Sequence, residues 1–180
     1  TEVYMTDIII IDRHEELSLL AVEALSGSFE IRFCAERSLY KTGMGQALNI
    51  WRTDRLNGLI TENCIIVLGE KCISLPPIIP GSAIFVANAM NKEQMSALAS
   101  VTDNVITCGN LVMDTVSYTS VTDDTVTVSF GRTFTTLSGR EVQPFEMPVC
   151  RNNNESIYST LAVTALRVLL DAPDLRNQLL

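Results

Sequence analysis

Apolar residues along this chain fall into short unbroken rows separated by polar joints. Between Asp7 and Asp12 four isoleucines stand in a row bounded by acids, the pattern of a strand buried on both faces. Cys64 to Leu68 and Ala83 to Ala87 repeat it. Phe29 to Ala35 instead alternates, with Phe29, Ile31 and Phe33 set against Glu30, Arg32 and Cys34. That period of two predicts a half-buried strand. Arg13 to Leu25 carries Leu17, Leu20, Ala21, Ala24 and Leu25 at helical spacing, and Ser26-Gly27-Ser28 ends it. Glu36 to Gly45 reads as a polar connection. Gln46 to Arg55 reads as a second helix carrying Leu48 and Trp51, closed by Asn57-Gly58.

The segment from Pro80 to Asn110 organises the rest. Pro80-Gly81-Ser82 is a turn, Ala83 to Ala87 a strand, Asn91 to Ala99 a helix, and Val105 to Cys108 a strand ending at Gly109. This is the minimal parallel crossover unit. Lys71 to Pro80 is an extended link, because a residue before proline is biased out of the helical region. After Gly109 the texture changes to short Thr- and Val-rich stretches: Thr115 to Tyr118, Thr125 to Phe130, Arg132 to Leu137 and Val142 to Met147. Asp123-Asp124 and Ser138-Gly139 separate them as turns, which predicts antiparallel ribbons. Glu155 to Leu170 is a long final helix, with Asn154 or Ser156 as its cap and Ala172-Pro173 as its stop. The order predicts one α/β domain over 1–180. It has a mostly parallel sheet with helices on both faces (1–110), an antiparallel β-meander (111–150) and a C-terminal helix (151–180).

Composition narrows the function classes. With 47% apolar residues and 6% aromatics, the core is aliphatic, and 180 residues suffice to bury it without staples. A formal charge of −8 argues against a nucleic-acid backbone or an anionic membrane as partner. Cys34, Cys64, Cys72, Cys108 and Cys150 are scattered with no CxxC pair, so they read as small hydrophobes in a reducing cytoplasm rather than zinc ligands. No apolar run reaches membrane-spanning length. Thr1 in place of a methionine fits a piece of a longer protein.

The words at the joints resemble the central ATPase domain of the Mur ligases, the amide-bond-forming enzymes of cell-wall and folylpolyglutamate synthesis. The matching stretches are Pro80-Gly81-Ser82 through Asn88-Ala89-Met90-Asn91, then Val105 to Gly109, and Asn153-Asn154-Glu155-Ser156-Ile157-Tyr158-Ser159-Thr160-Leu161-Ala162. Together they span Cys64 to Asp171, about three-fifths of the chain. The resemblance implies a cytoplasmic bacterial protein with the fold described above, ATP and magnesium as cofactors, and amide ligation as the activity.

The chemical words of that family are missing. Its Gly-Thr-x-Gly-Lys-Thr loop cradles phosphate on backbone amides at a helix start. Glu36 to Gly43 is the nearest stretch, with Lys41-Thr42 in place of the family's Lys-Thr, but Arg37 and Tyr40 stand where glycines belong. The magnesium-binding His and Glu and the carbamylated Lys have no counterpart. The acidic pair after Asn88-Ala89 is Met90-Asn91, and the nucleotide-positioning His-Asn is Glu155-Ser156. The lone His14 has no partner cluster and reads as a surface or cap residue. A receiver-type acidic site would need an aspartate after the third strand, where Leu68-Gly69-Glu70 stands, and there is no Gly-x-Ser-x-Gly for nucleophilic catalysis.

The leading expectation is a non-catalytic, Mur-ligase-like accessory or binding module without cofactors or metal, working as a homo-oligomer or beside a partner domain. One alternative is an ATP-dependent amide ligase whose phosphate loop is altered, with Lys41, Thr42 and Asn88 as nucleotide contacts. The other is a small-molecule binder at the C-terminal strand ends near Ala35, Gly69, Asn88 and Gly109, where open sheets hold ligands.

Overall fold

The computed structural model describes residues 5–59, 61 and 63–172; the expected stop at Pro173 lies outside them. In chain order the elements are β1 (Thr6–Ile11), α1 (Glu16–Ser26), β2 (Phe29–Ala35), β3 (Ser38–Thr42), β4 (Gln46–Thr53), β5 (Cys64–Leu68), β6 (Ile84–Asn88) and α2 (Lys92–Ala99). They continue with β7 (Val105–Cys108), β8 (Val116–Val121), β9 (Thr125–Phe130), β10 (Phe134–Thr135), β11 (Glu141–Val142), β12 (Phe145–Cys150) and α3 (Ile157–Leu169). Ten strands form one sheet in the order β12-β9-β8-β7-β6-β5-β1-β4-β2-β3, while β10 and β11 make a separate hairpin. From β8 to β2 every neighbouring pair is parallel; β3 and β9 run against the rest.

Alternation along β1 sorts the core into two layers. Ile8 and Ile10 face α1 and α3, packing with Leu17, Leu25, Leu161 and Leu166. Ile9 and Ile11 face the other way, with Phe85 of β6, Leu98 of α2 and Cys72, Leu75 and Ile79 of the proline-rich link. Helices therefore cover both faces of a mostly parallel sheet. The residues of β5 and β6 are buried throughout, as a doubly covered parallel sheet requires.

Two segments depart from the sequence expectation. Gln46 to Thr53 is the strand β4 and not a helix: it lies between β1 and β2, pairing Ile8 with Ile50 on one side and Ile31 with Leu48 on the other. Leu48 and Ile50, two residues apart, enter the core, and Trp51 points away from it, 44% exposed. Glu36 to Gly45 is not a strand-to-helix connection. It contains β3, which folds back on β2 in register Phe33 to Tyr40. Gly43 then turns the chain at φ +77°, where a side chain would collide with the Phe29 carbonyl.

Candidate strand-end site

The chain leaves β1 toward β2, through α1, and leaves β5 toward β6 on the opposite side. The C-terminal ends of β1 and β5, which pair Ile11 with Leu68, are therefore the point where the connections diverge. Open α/β sheets hold ligands at such a crevice.

Asp12 follows β1 directly. Its backbone N–H donates to the Thr53 carbonyl, 2.9 Å, and its carboxylate Oδ1 accepts from the His14 N–H, 3.2 Å. Burial raises its pKa above the ordinary carboxyl value; the hydrogen bond from His14 and the charges of His14 and Arg52 only partly offset that. Gly69, at the exit of β5, leaves the room it needs: a Cβ there would lie 2.4 Å from Asp12 Cγ. Arg52 on β4 fastens the turn that follows, donating from Nη2 to the Arg13 carbonyl at 2.6 Å and pairing through Nη1 with Glu15 at 3.5 Å.

Helix α3 brings in the other wall. Ser156 precedes its first turn in extended conformation, but its hydroxyl does not cap the helix. It donates instead to Glu70 Oε2 at 2.7 Å, while its N–H donates to Glu16 Oε1 at 3.0 Å. One serine thereby joins the starts of α1 and α3 to the exit of β5. Two residues on, the buried Tyr158 hydroxyl donates to the Leu68 carbonyl, and burial drives its pKa well up.

An amide lattice holds the third side. Gln94, fully buried, accepts the Asn88 N–H at 2.6 Å and donates to the carbonyls of Gly69 (3.1 Å) and Cys72 (2.7 Å). Asn88 Nδ2 and Asn91 Nδ2 both reach the Glu70 carbonyl at 3.2 Å, and Asn91 Oδ1 caps α2 by accepting the Gln94 N–H at 3.1 Å. The loop from Gly69 to Cys72 is thus fixed by side chains from β6 and α2.

Two adjoining cavities of about 280 Å³ each open on these walls, sharing Asp12, His14 and Lys71. One is acid-rich, adding Glu16, Glu70, Ser156 and Ser159. The other adds Arg13, Arg55, Asp54 and Ser74. Among the described residues the side chains of Lys71 and Arg55 make no ion pair. No group of three or more His, Cys, Asp or Glu among the described residues is arranged to hold a metal ion. A separate hollow of about 450 Å³ on the far side of the sheet is lined by Ile9, Cys34, Trp51, Leu56 and Leu59. The Asp7 carboxylate at its edge is taken up by Asn49 (2.8 Å), Trp51 (3.0 Å) and Thr61 (2.8 Å).

Of the residues singled out from sequence, Asn88 lies at the crevice, but its side chain is engaged: Nδ2 by Glu70, Oδ1 by the Met90 N–H at 3.0 Å. Lys41 and Thr42 are elsewhere. They sit in β3 at the sheet edge, five strand positions from β6, and Lys41 is paired with Glu30 at 2.7 Å. Gly69 and Gly109 stand at strand ends, Gly69 beside Asp12 and Gly109 beside Asp114. Sequence reading missed Asp12, Glu16, Glu70 and Ser156 as a group; the only local signal was an acid placed directly after a buried strand.

The joint between β1 and α1 is Asp12-Arg13-His14-Glu15, which has no glycine to bring backbone amides together, and α1 opens on Glu15 and Glu16. Carboxylates at that helix start satisfy the charge a phosphate would otherwise satisfy. No helix among the described residues is long and apolar enough to cross a membrane. No protein-family model matches the chain, and no curated protein matches it significantly.

Proposed function

We propose that this protein is a non-catalytic module of Mur-ligase-like architecture that holds a small zwitterion in the crevice beyond β1 and β5. The observation that carries the reading is the mixed charge of the two cavities around Asp12. The acid-rich one offers Glu16 and Glu70 to an ammonium group. The adjoining one offers Arg13, Arg55 and Lys71 to a carboxylate. A ligand bearing both charges meets a partner for each, whereas a triphosphate that reaches Arg13, Arg55 and Lys71 must also lie beside Asp12, Glu16 and Glu70. The Ser156 hydroxyl donates to the Glu70 carboxylate at 2.7 Å, and we read that pair as the tie between α3 and the exit of β5, so binding is the function this lining supports best.

The alternative of an amide ligase with a rebuilt phosphate loop draws little from the geometry. Lys41 and Thr42 are remote from the crevice, and the Lys41 ammonium already has Glu30. Isothermal titration tests the choice. Free amino acids and dipeptides give saturable heat that Glu70→Gln with Lys71→Ala abolishes, and ATP with magnesium gives none. Micromolar ATP binding, or phosphate release with an amino-acid acceptor, overturns the reading.

A further inference from the structure

The two edges of the ten-stranded sheet differ. At one end β12 carries Pro148 in mid-strand, opposite Thr127 of β9. A proline lacks the N–H that a further strand would use, so this edge is blunted. At the other end β3 (Ser38-Leu39-Tyr40-Lys41-Thr42) has neither proline nor glycine and pairs only with β2. Its residues are exposed almost throughout, Leu39 to 82% and the following Met44 to 84%. An edge lysine commonly guards such a strand by projecting charge into water. Here the Lys41 side chain stays 61% exposed, but its charge is matched by Glu30 of β2, 2.7 Å away. Tyr40 is likewise held, its ring 5.0 Å from that of Phe33 on the opposite face.

We propose that β3 is the contact between two copies of this chain, paired antiparallel about a two-fold axis at Tyr40, so that two sheets become one. Three observations favour a second copy over another partner. An antiparallel strand meeting itself uses the same patch on both chains, so the contact closes at two and does not propagate. In the register centred on Tyr40, Leu39 lies opposite the partner's Lys41 and Ser38 opposite the partner's Thr42. No like charges face each other in this register. Charge also permits the approach. The chain carries −8 overall, but Glu36, Arg37 and Lys41 leave 36–42 at +1, so two copies meeting here bring together less like charge than the acidic surface as a whole would.

Sedimentation velocity on the full chain tests this. The expected species is twice the 19.8 kDa chain mass. Leu39→Lys places like charges opposite each other at both ends of the contact and raises the dimer Kd more than tenfold. Leu39→Glu places a carboxylate opposite Lys41 and keeps the dimer. Glu146→Lys on β12 leaves it unchanged. Hydrogen exchange on the unaltered chain gives a reading free of folding artefacts: amides of 38–42 become more protected as concentration rises. A monomer at about 100 µM, where a Kd of about 10 µM would leave most chains paired, overturns the proposal. So does a dimer that survives Leu39→Lys, or one that responds equally to the lysine and glutamate changes.

Discussion

Gly69 and Asp12 share one space: a β-carbon on Gly69 would lie 2.4 Å from the Asp12 Cγ and 2.5 Å from its Oδ1. Because both the Gly69 N–H and the Asp12 N–H are tied to neighbouring strands, at 2.8 and 2.9 Å, neither backbone yields easily. Gly69→Ala therefore pushes the Asp12 side chain out of the crevice or distorts the end of β5. The expected loss is about 2 kcal/mol, the ordinary cost of overpacking, read by urea denaturation. Asp12→Ala in the same chain makes room for the new methyl and recovers part of it.

Asp12 itself lowers stability at neutral pH. Burial raises its pKa above the ordinary 3.8, so between that value and the raised one the native state keeps a proton that the unfolded chain has released. Stability falls as pH rises through that window and stays lowered above it. Asp12→Asn retains an oxygen for the His14 N–H and removes the charge. Its Tm is expected above that of the parent at neutral pH, with the difference shrinking to nothing below pH 3.8. A constant difference across pH would refute the assignment.

Gln94 offers the opposite case, a buried polar group that the fold requires. It serves the Asn88 N–H and the carbonyls of Gly69 and Cys72 from a fully buried position. Gln94→Leu keeps the volume and strands the Asn88 N–H, while the carbonyls of Gly69 and Cys72 each lose one bond and keep those from the Cys72 N–H and Asn91 Nδ2. A loss of roughly 2 kcal/mol is expected, together with faster hydrogen exchange at Asn88. Gln94→Glu separates volume from donors: it retains an acceptor for Asn88 and loses both bonds from Nε2.

At the opposite end of the molecule Asp171 locks the β10–β11 hairpin to the end of α3. Burial alone would raise its pKa, but bonds from Ser138 (2.5 Å), Arg140 (2.5 Å) and Thr136 (2.8 Å) together hold it below the ordinary value. The unfolded chain takes up the proton first as pH falls, so this contribution is complete above the ordinary 3.8 and is lost as pH drops toward the lowered one. Asp171→Asn tolerates the positive φ of 52° that this residue adopts and tests the charge alone. About 2 kcal/mol is expected to be lost at neutral pH, Arg140 being half exposed, and the loss shrinks as pH falls below 3.8.

Most of the architecture was legible because it rests on local patterns. The isoleucine row of β1, the alternation of β2 and the Asn-capped helix α2 each announce themselves within ten residues or so. β4 was not legible for a physical reason. Leu48 and Trp51 stand three apart, as on a helix face, yet the decisive pair is Leu48 and Ile50, and the strand is fixed by ladders to β1 and β2 on both sides. The β2–β3 hairpin lacks any Asn-Gly or Asp-Gly turn to declare it. The strand-end crevice followed from topology. Its lining did not: Ser156 meets Glu70 across 86 positions of sequence and Glu16 across 140.

That last separation bears on how the protein is born. One face of the sheet waits for α3, whose Leu161, Leu166 and Leu169 complete the layer begun by Ile8 and Ile10. A nascent chain leaving the ribosome therefore carries finished strands with an open greasy side until α3 emerges, and contacts so distant in sequence form slowly. Chaperone capture, and aggregation when translation stalls, concentrate in that interval.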